Sequence, residues 1–472
     1  MEGAAKSSAS GSCVIGRGWL WPENHLSCNI GVNPSVVVLE SDLMNQQGDT
    51  QSVDADVLVI GGGPAGSTVA ALLAKKGWRV MLFDKDQHPR FHIGESLLPQ
   101  NVPLLDRLGV LEQVEACSMV KYGIEFVSPF HGKKVQYEFA KAWGRRFPHA
   151  FQVRRSSFDH ILLQNASKSG TQVYESCQVK SVELHSGMFP EVITEDVDGR
   201  QHHWTAKYIV DATGRDTFLA SKFGAKKPNQ RNKSAAIFAH FSGAQRLPGK
   251  AEGHITIVWF AEGWFWFIPL ADGITSVGAV CSPEFLKTRK TDLTSFFYSI
   301  IAMSPEISSR LQDATMVGKV SATGNYSYTS SMASGSNYLM VGDATGFIDP
   351  VFSTGVYLAM RGGFSAAETI DTCLRHPERS KAAMRRYEAS IRHAMGAFTW
   401  FIYRIRQPAM RNLFMSPRNT LRMEEAVLFL LAGGVSGGWQ VSLRLYLFRA
   451  IYYATKFSHF LRGVHKTSAS PG

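Results

Sequence analysis

Between Gly61 and Gly66 the chain reads GGGPAG, and the flanking residues turn this short pattern into a strong constraint on the fold. Before it, Ala55 to Gly61 (ADVLVIG) is an apolar run dense in β-branched residues, as expected of a buried parallel strand. After it, STVAALLAKKG has helical periodicity and stops at Gly77, and WRVMLFD then forms a second apolar strand ending at Asp84. Strand, glycine turn, helix, strand and acid make one βαβ unit. In GxGxxG, Gly61 permits the tight turn, Gly63 lets the backbone approach a pyrophosphate, and Gly66 lets the helix pack closely on the strand. Ala65 lies inside the same turn, and the phosphate charge would rest on the helix N-terminus. Asp84 follows Gly66 by 18 residues, where a carboxylate accepts hydrogen bonds from ribose hydroxyls. The expectation is a dinucleotide site.

The chain is long enough, at 472 residues, for such a domain plus at least one addition. A formal charge of +11 favours anions: dinucleotide phosphates, an acidic partner or an anionic surface. No recognition helix, zinc pattern or aromatic RNA-binding signature accompanies it, so no nucleic-acid partner is expected. The six cysteines, Cys13, Cys28, Cys117, Cys177, Cys281 and Cys373, form no CxxC pair. That spacing fits reduced thiols in a cytoplasmic protein rather than a disulfide framework or a metal site. No secretory leader and no transmembrane run is expected, since AVLFLLAGGV from Ala426 is too short to span. Residues 1–53 are rich in Ser, Gly, Asn and Gln and are expected to be a flexible extension, or upstream sequence from a misplaced start before Met44. From Lys180 to Ala212 an antiparallel meander is expected, then buried strands at Thr256 to Val280 and Tyr338 to Gly342, and helices from Val356 onward.

Several later segments point to a flavin rather than a nicotinamide. VGDA (Val341 to Ala344) ends a buried strand in Asp343, where a carboxylate can meet the ribityl or pyrophosphate part of a long cofactor. VDATG (Val210 to Gly214) is a further sheet-end glycine turn, and QVRRSSFDHIL places Arg155 at the head of a helix. Together these segments resemble the FAD-binding family of aromatic hydroxylases, geranylgeranyl reductases and flavin-dependent halogenases, over about residues 54 to 415. The resemblance implies an α/β chain with a Rossmann-like, glutathione-reductase-type FAD-binding domain, an antiparallel β-sheet substrate region and a helical C-terminal region. The expected boundaries are 54–374 for the FAD-binding domain with its interleaved sheet and 375–472 for the helices.

Within that family, GWFWFIPL (Gly263 to Leu270) resembles the WxWxIP motif of the halogenases. In a strand Trp264 and Trp266 share one face, opposite Phe265 and Phe267. The resemblance implies that the tryptophans keep activated oxygen on the flavin away from the organic substrate. GFIDPVFSTGVYL (Gly346 to Leu358) resembles the loop near the isoalloxazine, with the amides of Thr354 and Gly355 presented to a halide and with Gly355 and Val356 against the flavin. A nest of amides is a sound anion site. GESLLP also resembles the halogenases, with Glu95 and Ser96 near the cofactor. The KYGIEF segment matches the family's lysine pattern at the start of a strand, which implies that Lys121 is catalytic. A buried lysine could hold hypohalous acid by a hydrogen bond or, as a neutral amine, capture it as a haloamine.

One departure is informative. Tryptophan halogenases place a glutamate in the FSTG-type turn, and Phe352 stands there instead. The chain therefore more closely resembles the branch acting on phenols and pyrroles, free or tethered to an acyl or peptidyl carrier protein, with Glu125 as a candidate substitute base. The expected cofactors are FAD, reduced by a separate flavin reductase, and chloride or bromide as co-substrate. The Arg- and aromatic-rich C-terminus is expected to form helices over the active-site mouth, or a surface for an acidic carrier or a membrane face. The rival readings are an FAD-dependent monooxygenase or geranylgeranyl-reductase-like enzyme, and a flavoprotein without turnover.

Overall fold

A computed structural model describes residues 53–144, 147–229, 234–324 and 327–467. The expected extension, residues 1–53, lies almost entirely outside the described residues. Two seven-stranded sheets organise the described chain.

In the first sheet, Ala55–Ile60 (β1) is central, parallel to Val80–Phe83 (β2) on one side and to the second half of Gln201–Asp211 on the other. The helix Pro64–Lys75 (α1) links β1 to β2, so the expected βαβ unit forms. All six residues of β1 are buried, as a strand covered on both faces requires. The strand Gln201–Asp211 is long enough to serve two ladders. Its first half pairs antiparallel with Glu191–Glu195, which pairs with Gln178–Glu183, and its second half also carries Tyr338–Met340 in parallel. The expected meander and the expected buried strand therefore meet on one element.

The second sheet runs in the order Thr315–Gly324, Ala235–Ser242, Ile274–Cys281, Gly263–Pro269, Ile255–Phe260, Gly123–Ser128 and Lys133–Glu138. Every pairing is antiparallel except Ile255–Phe260 with Gly123–Ser128. Its strands alternate between two cores. Trp264 and Trp266 join a cluster that includes Phe398, Phe401, Met410 and Leu430 from the C-terminal helices. Phe265 and Phe267 face the opposite way, against Phe297, Ile300 and Ile307 on the helices Leu293–Ala302 and Pro305–Arg310. From Thr354 the chain is helical, with long helices at Thr354–Arg375, Ser380–Ile402 and Gly438–Thr467. Among the described residues no helix is long and apolar enough to cross a membrane, and no His, Cys, Asp and Glu cluster could hold a metal ion.

Candidate active site

The glycine turn is enforced by close contacts. Gly61 has φ +103°, and a Cβ there would lie 2.5 Å from the carbonyl oxygen of Ala212. A Cβ on Gly66 would lie 1.9 Å from the Gly61 oxygen, so the helix can approach the strand only with hydrogen at that position. At Gly63, by contrast, an added Cβ would meet only the Arg90 guanidinium at 3.9 Å. That glycine faces open space, as a phosphate-binding position should. Asp84 braces the turn: its Oδ2 accepts the Gly62 N–H at 2.6 Å and its Oδ1 the Asp86 N–H at 2.9 Å.

The turn opens into a cavity of about 720 Å³, within the range typical of cofactor sites. Its wall runs from Asp84 past Gly61, Gly63 and Ala65 to Asp343, Gly355 and Val356, and on to Trp264 and Trp266. Glu95, Ser96 and Arg155 line the same space. Of the expected cofactor residues only Gly66 lies off this wall, behind the turn that it allows to form.

Arg155 heads the helix Arg155–Lys168 and is buried. Asp159, one helical turn on, takes both its Nε and Nη2 hydrogen bonds, at 2.7 and 2.8 Å, and the Ile93 oxygen takes Nη1 at 2.7 Å. Asp343 sits in a short turn, Gly342–Ala344. Burial pushes its carboxyl up to about 6, with the Arg155 and Arg215 charges pulling the other way. Glu95 is buried; its Oε1 contacts His240 Nε2 at 2.7 Å, and Oε2 has no partner among the described residues. A buried, unpartnered carboxylate oxygen on a cavity wall is a polar position left for a ligand.

Trp264 and Trp266 project side by side, with ring centres 6.2 Å apart, and the Trp266 Nε1 donates to Ser276 Oγ at 3.1 Å. Both line the cavity from one face of the strand, as the strand alternation predicts.

Thr354 and Gly355 open the 22-residue helix Thr354–Arg375, after Ser353 in the left-handed region at φ +56°. Their N–H groups belong to the first turn of that helix, which lacks intrahelical acceptors and has no acidic residue and no side-chain cap. Gly355 lines the large cavity, whereas Thr354 lines a smaller adjoining one beside Arg361. Phe352, in the preceding turn, is buried and stacked on Phe414 at 6.4 Å.

Lys121 differs from expectation in one respect. It ends the short strand Met119–Lys121, paired with Ala150–Gln152, rather than starting a strand. The next strand begins at Gly123, where a Cβ would lie 2.2 Å from the Tyr137 oxygen, so the chain changes sheets across this glycine. The lysine is fully buried, and its Nζ donates to Ser96 Oγ at 2.8 Å and to the Leu97 oxygen at 3.0 Å. With no carboxylate partner among the described residues, the amine is pushed down to about 7 by burial alone. It does not line the cavity wall; Ser96 stands between them. Glu125 is not available as the substitute base. Its Oε2 is held by Arg310 at 2.6 Å and by Thr256 Oγ1 at 3.0 Å, and its Oε1 by Gln136 at 3.3 Å.

Sequence reasoning missed His92, Arg215, His240 and Arg361, since none falls in a motif. Arg215 follows directly on VDATG, and that adjacency was the available signal. His92, on the cavity wall, is pushed down to about 4 by burial and the Arg155 charge, so it is neutral at pH 7.

The residues therefore fit FAD: an open glycine cradle at a helix N-terminus, a ribose-side acid and a long cavity with an available carboxylate oxygen. The class they define is an FAD-binding flavoprotein, and the sequence model of the FAD-binding domain family matches residues 54–399. A flavin-dependent halogenase of Armillaria mellea is 34% identical over 356 residues, covering 68% of each chain. A 1H-pyrrole-2-carbonyl peptidyl-carrier-protein chlorinase of Pseudomonas fluorescens is 29% identical over 409 residues, covering 82% of this chain and 90% of the relative. The myxobacterial chondrochloren halogenase structure superposes with a TM-score of 0.72 at 29% identity, over 85% of this chain and 97% of that one. The chain belongs to the flavin-dependent halogenases.

Proposed function

We propose that this halogenase acts on an electron-rich phenol or pyrrole, free or tethered to an acyl or peptidyl carrier protein. Chloride or bromide is the co-substrate, and a separate cytoplasmic flavin reductase supplies the reduced FAD. The observation that carries the reading is the Lys121 amine: fully buried, without an acidic partner among the described residues, and one hydrogen bond from Ser96 on the cavity wall.

When bound, reduced FAD would give two electrons to O2, and the oxygen so activated would be the two-electron oxidant that makes halide electrophilic. The chain's own residues do the rest. The Thr354 and Gly355 N–H groups hold the halide at a helix N-terminus, with the Arg361 charge close by. Trp264 and Trp266 separate the flavin end of the cavity from the organic substrate. Lys121 receives the electrophilic halogen from the cavity, a step that needs the Ser96 hydroxyl now hydrogen-bonded to its Nζ to swing aside. At a pKa of about 7 its ammonium, which can hydrogen-bond hypohalous acid, and its neutral amine, which can form a haloamine, are both populated at neutral pH. Phe352 in the FSTG turn and the engagement of Glu125 by Arg310 take both of these positions out of the role of carboxylate base. That suits rings already rich enough for electrophilic attack. The pyrrole chlorinase among the relatives supports the same class and the carrier-bound form.

The test is mass spectrometry of reactions containing the protein, FAD, a flavin reductase, NADH, chloride or bromide, and a panel of free and carrier-bound phenols and pyrroles. Halogenated products are expected, and they should vanish in Lys121→Ala while FAD binding survives. Hydroxylated or reduced products indifferent to halide and to Lys121 would overturn the reading.

A further inference from the structure

The C-terminal helix Gly438–Thr467 presents an apolar stripe to solvent. Trp439, Leu443, Tyr446, Ala450, Tyr453 and Phe457 are all exposed, Trp439 at 72% and Phe457 at 63%. Their spacing of four, three, four, three and four residues keeps them within roughly 80° of helix arc and over about 27 Å of its length. The opposite face is anchored: Val441 and Tyr452 are buried, and Leu445 and Phe448 pack on the core shared with the second sheet. Trp400 meets the Tyr452 ring edge-on at 5.2 Å. The helix is thus fixed in place with its aromatic stripe outward.

Charge narrows the choice of partner. Beyond Glu388 the chain carries eleven Lys and Arg against two acids, Glu424 and Glu425, so this region accounts for nine of the chain's eleven net positive charges. The helix itself contains no acid. Arg449 and Lys456 lie along one edge of the stripe, and the Arg449 guanidinium lies 5.6 Å from the Tyr446 ring, whereas Arg444 turns to the anchored side, over the Trp143 ring at 4.5 Å. A second copy of the same helix would bring cation against cation with no acid to pair them. An aromatic stripe with cations along one edge of an acid-free helix is instead the pattern of a helix lying in a lipid interface, with rings among the acyl chains and cations at the headgroup phosphates.

We propose that this helix docks the enzyme on an anionic lipid surface, lying in the plane of the interface. The site that performs the chemistry is separate, so membrane docking stands whether or not the proposed substrate class is right.

The experiment is co-sedimentation of the full-length protein with vesicles of phosphatidylcholine alone and of phosphatidylcholine with phosphatidylglycerol, at low and physiological salt. The Trp439→Ala/Phe457→Ala double variant is run in parallel. Both residues are exposed, so the variant is expected to fold, and unchanged FAD binding checks this. Wild type is expected to bind the anionic vesicles, and the double variant to bind about tenfold or more weakly. No binding to anionic vesicles at low salt overturns the proposal. So does binding that salt abolishes and the aromatic variant leaves intact, which would mark charge attraction alone. A dimer in solution that the variant converts to monomer would assign the stripe to a second copy instead and overturn the lipid reading. Phe457→Ala alone serves as the second variant should the double one fail to accumulate.

Discussion

At the scale of the residue, Lys121 and the glycines define the site by what they exclude. Charging Lys121 in its dry setting costs folding free energy, because its amine falls from an ordinary value of 10.5 to about 7 on folding. The cost is full below about pH 7, shrinks as pH rises, and is gone above about 10.5, since the unfolded chain then binds no extra proton. Lys121→Met is therefore expected to melt above wild type near pH 6, with the gap narrowing toward pH 10; melting curves across that range check it. The glycines separate in a similar way. Gly66→Ala forces a carbon to 1.9 Å from a backbone oxygen, beyond ordinary overpacking costs of about 1–3 kcal/mol, and should sharply lower the apo protein's melting temperature. Gly63→Ala should fold normally and weaken FAD binding, which a flavin fluorescence titration reads. The roles of Gly63 and Gly66 were legible in the motif because they depend on the geometry of a single turn, whereas the contact of Gly61 with the distant Ala212 oxygen was not. The lysine's pKa was not, because it depends on the desolvation that distant strands impose.

At the scale of the element, the strand Gly263–Pro269 has two functions on its two faces. Its tryptophans wall the cavity, and Phe265 and Phe267 bind the sheet to the helices behind it, with Arg310 lying 5.2 Å from the Phe267 ring. Trp266→Ala and Phe265→Ala should each cost about 3–5 kcal/mol in denaturant unfolding, as large buried aromatics do. Only the Trp266 variant is expected to divert turnover from halogenated product to halide-independent oxidation. Equal product ratios in the two variants would remove the shielding role from Trp266. The alternation was readable from residue spacing alone, whereas the strand's neighbours were not. Ile274–Cys281 and Ile255–Phe260 flank it because of hairpin connections, and Gly123–Ser128, the parallel partner of Ile255–Phe260, arrives from over a hundred residues earlier.

At the scale of the whole molecule, the buried Glu125–Arg310 pair joins residues 185 apart in sequence and fastens the second sheet to the helix Pro305–Arg310. Thr256 Oγ1 bridges it, accepting from Arg310 at 2.9 Å. Breaking a buried pair by neutralising one partner leaves the other charge uncompensated, so Glu125→Gln should cost about 3–5 kcal/mol in equilibrium unfolding. The halogenation rate per folded molecule should hold. A selective loss of that rate with stability intact would return Glu125 to the chemistry.

The sequence alone determined the βαβ unit, the dinucleotide turn, the two-faced tryptophan strand and the family, because each rests on spacings of a few residues that one turn or one strand must satisfy. Tertiary structure decided the rest. It put Lys121 in a dry site behind Ser96, withdrew Glu125 into an ion pair with Arg310, and set His240 against Glu95 on the cavity wall. It also left the aromatic stripe of the last helix exposed while the opposite face packs. Burial and pairing are properties of segments brought together from far along the chain, and local pattern carries no record of which distant surface will remove a given side chain from water.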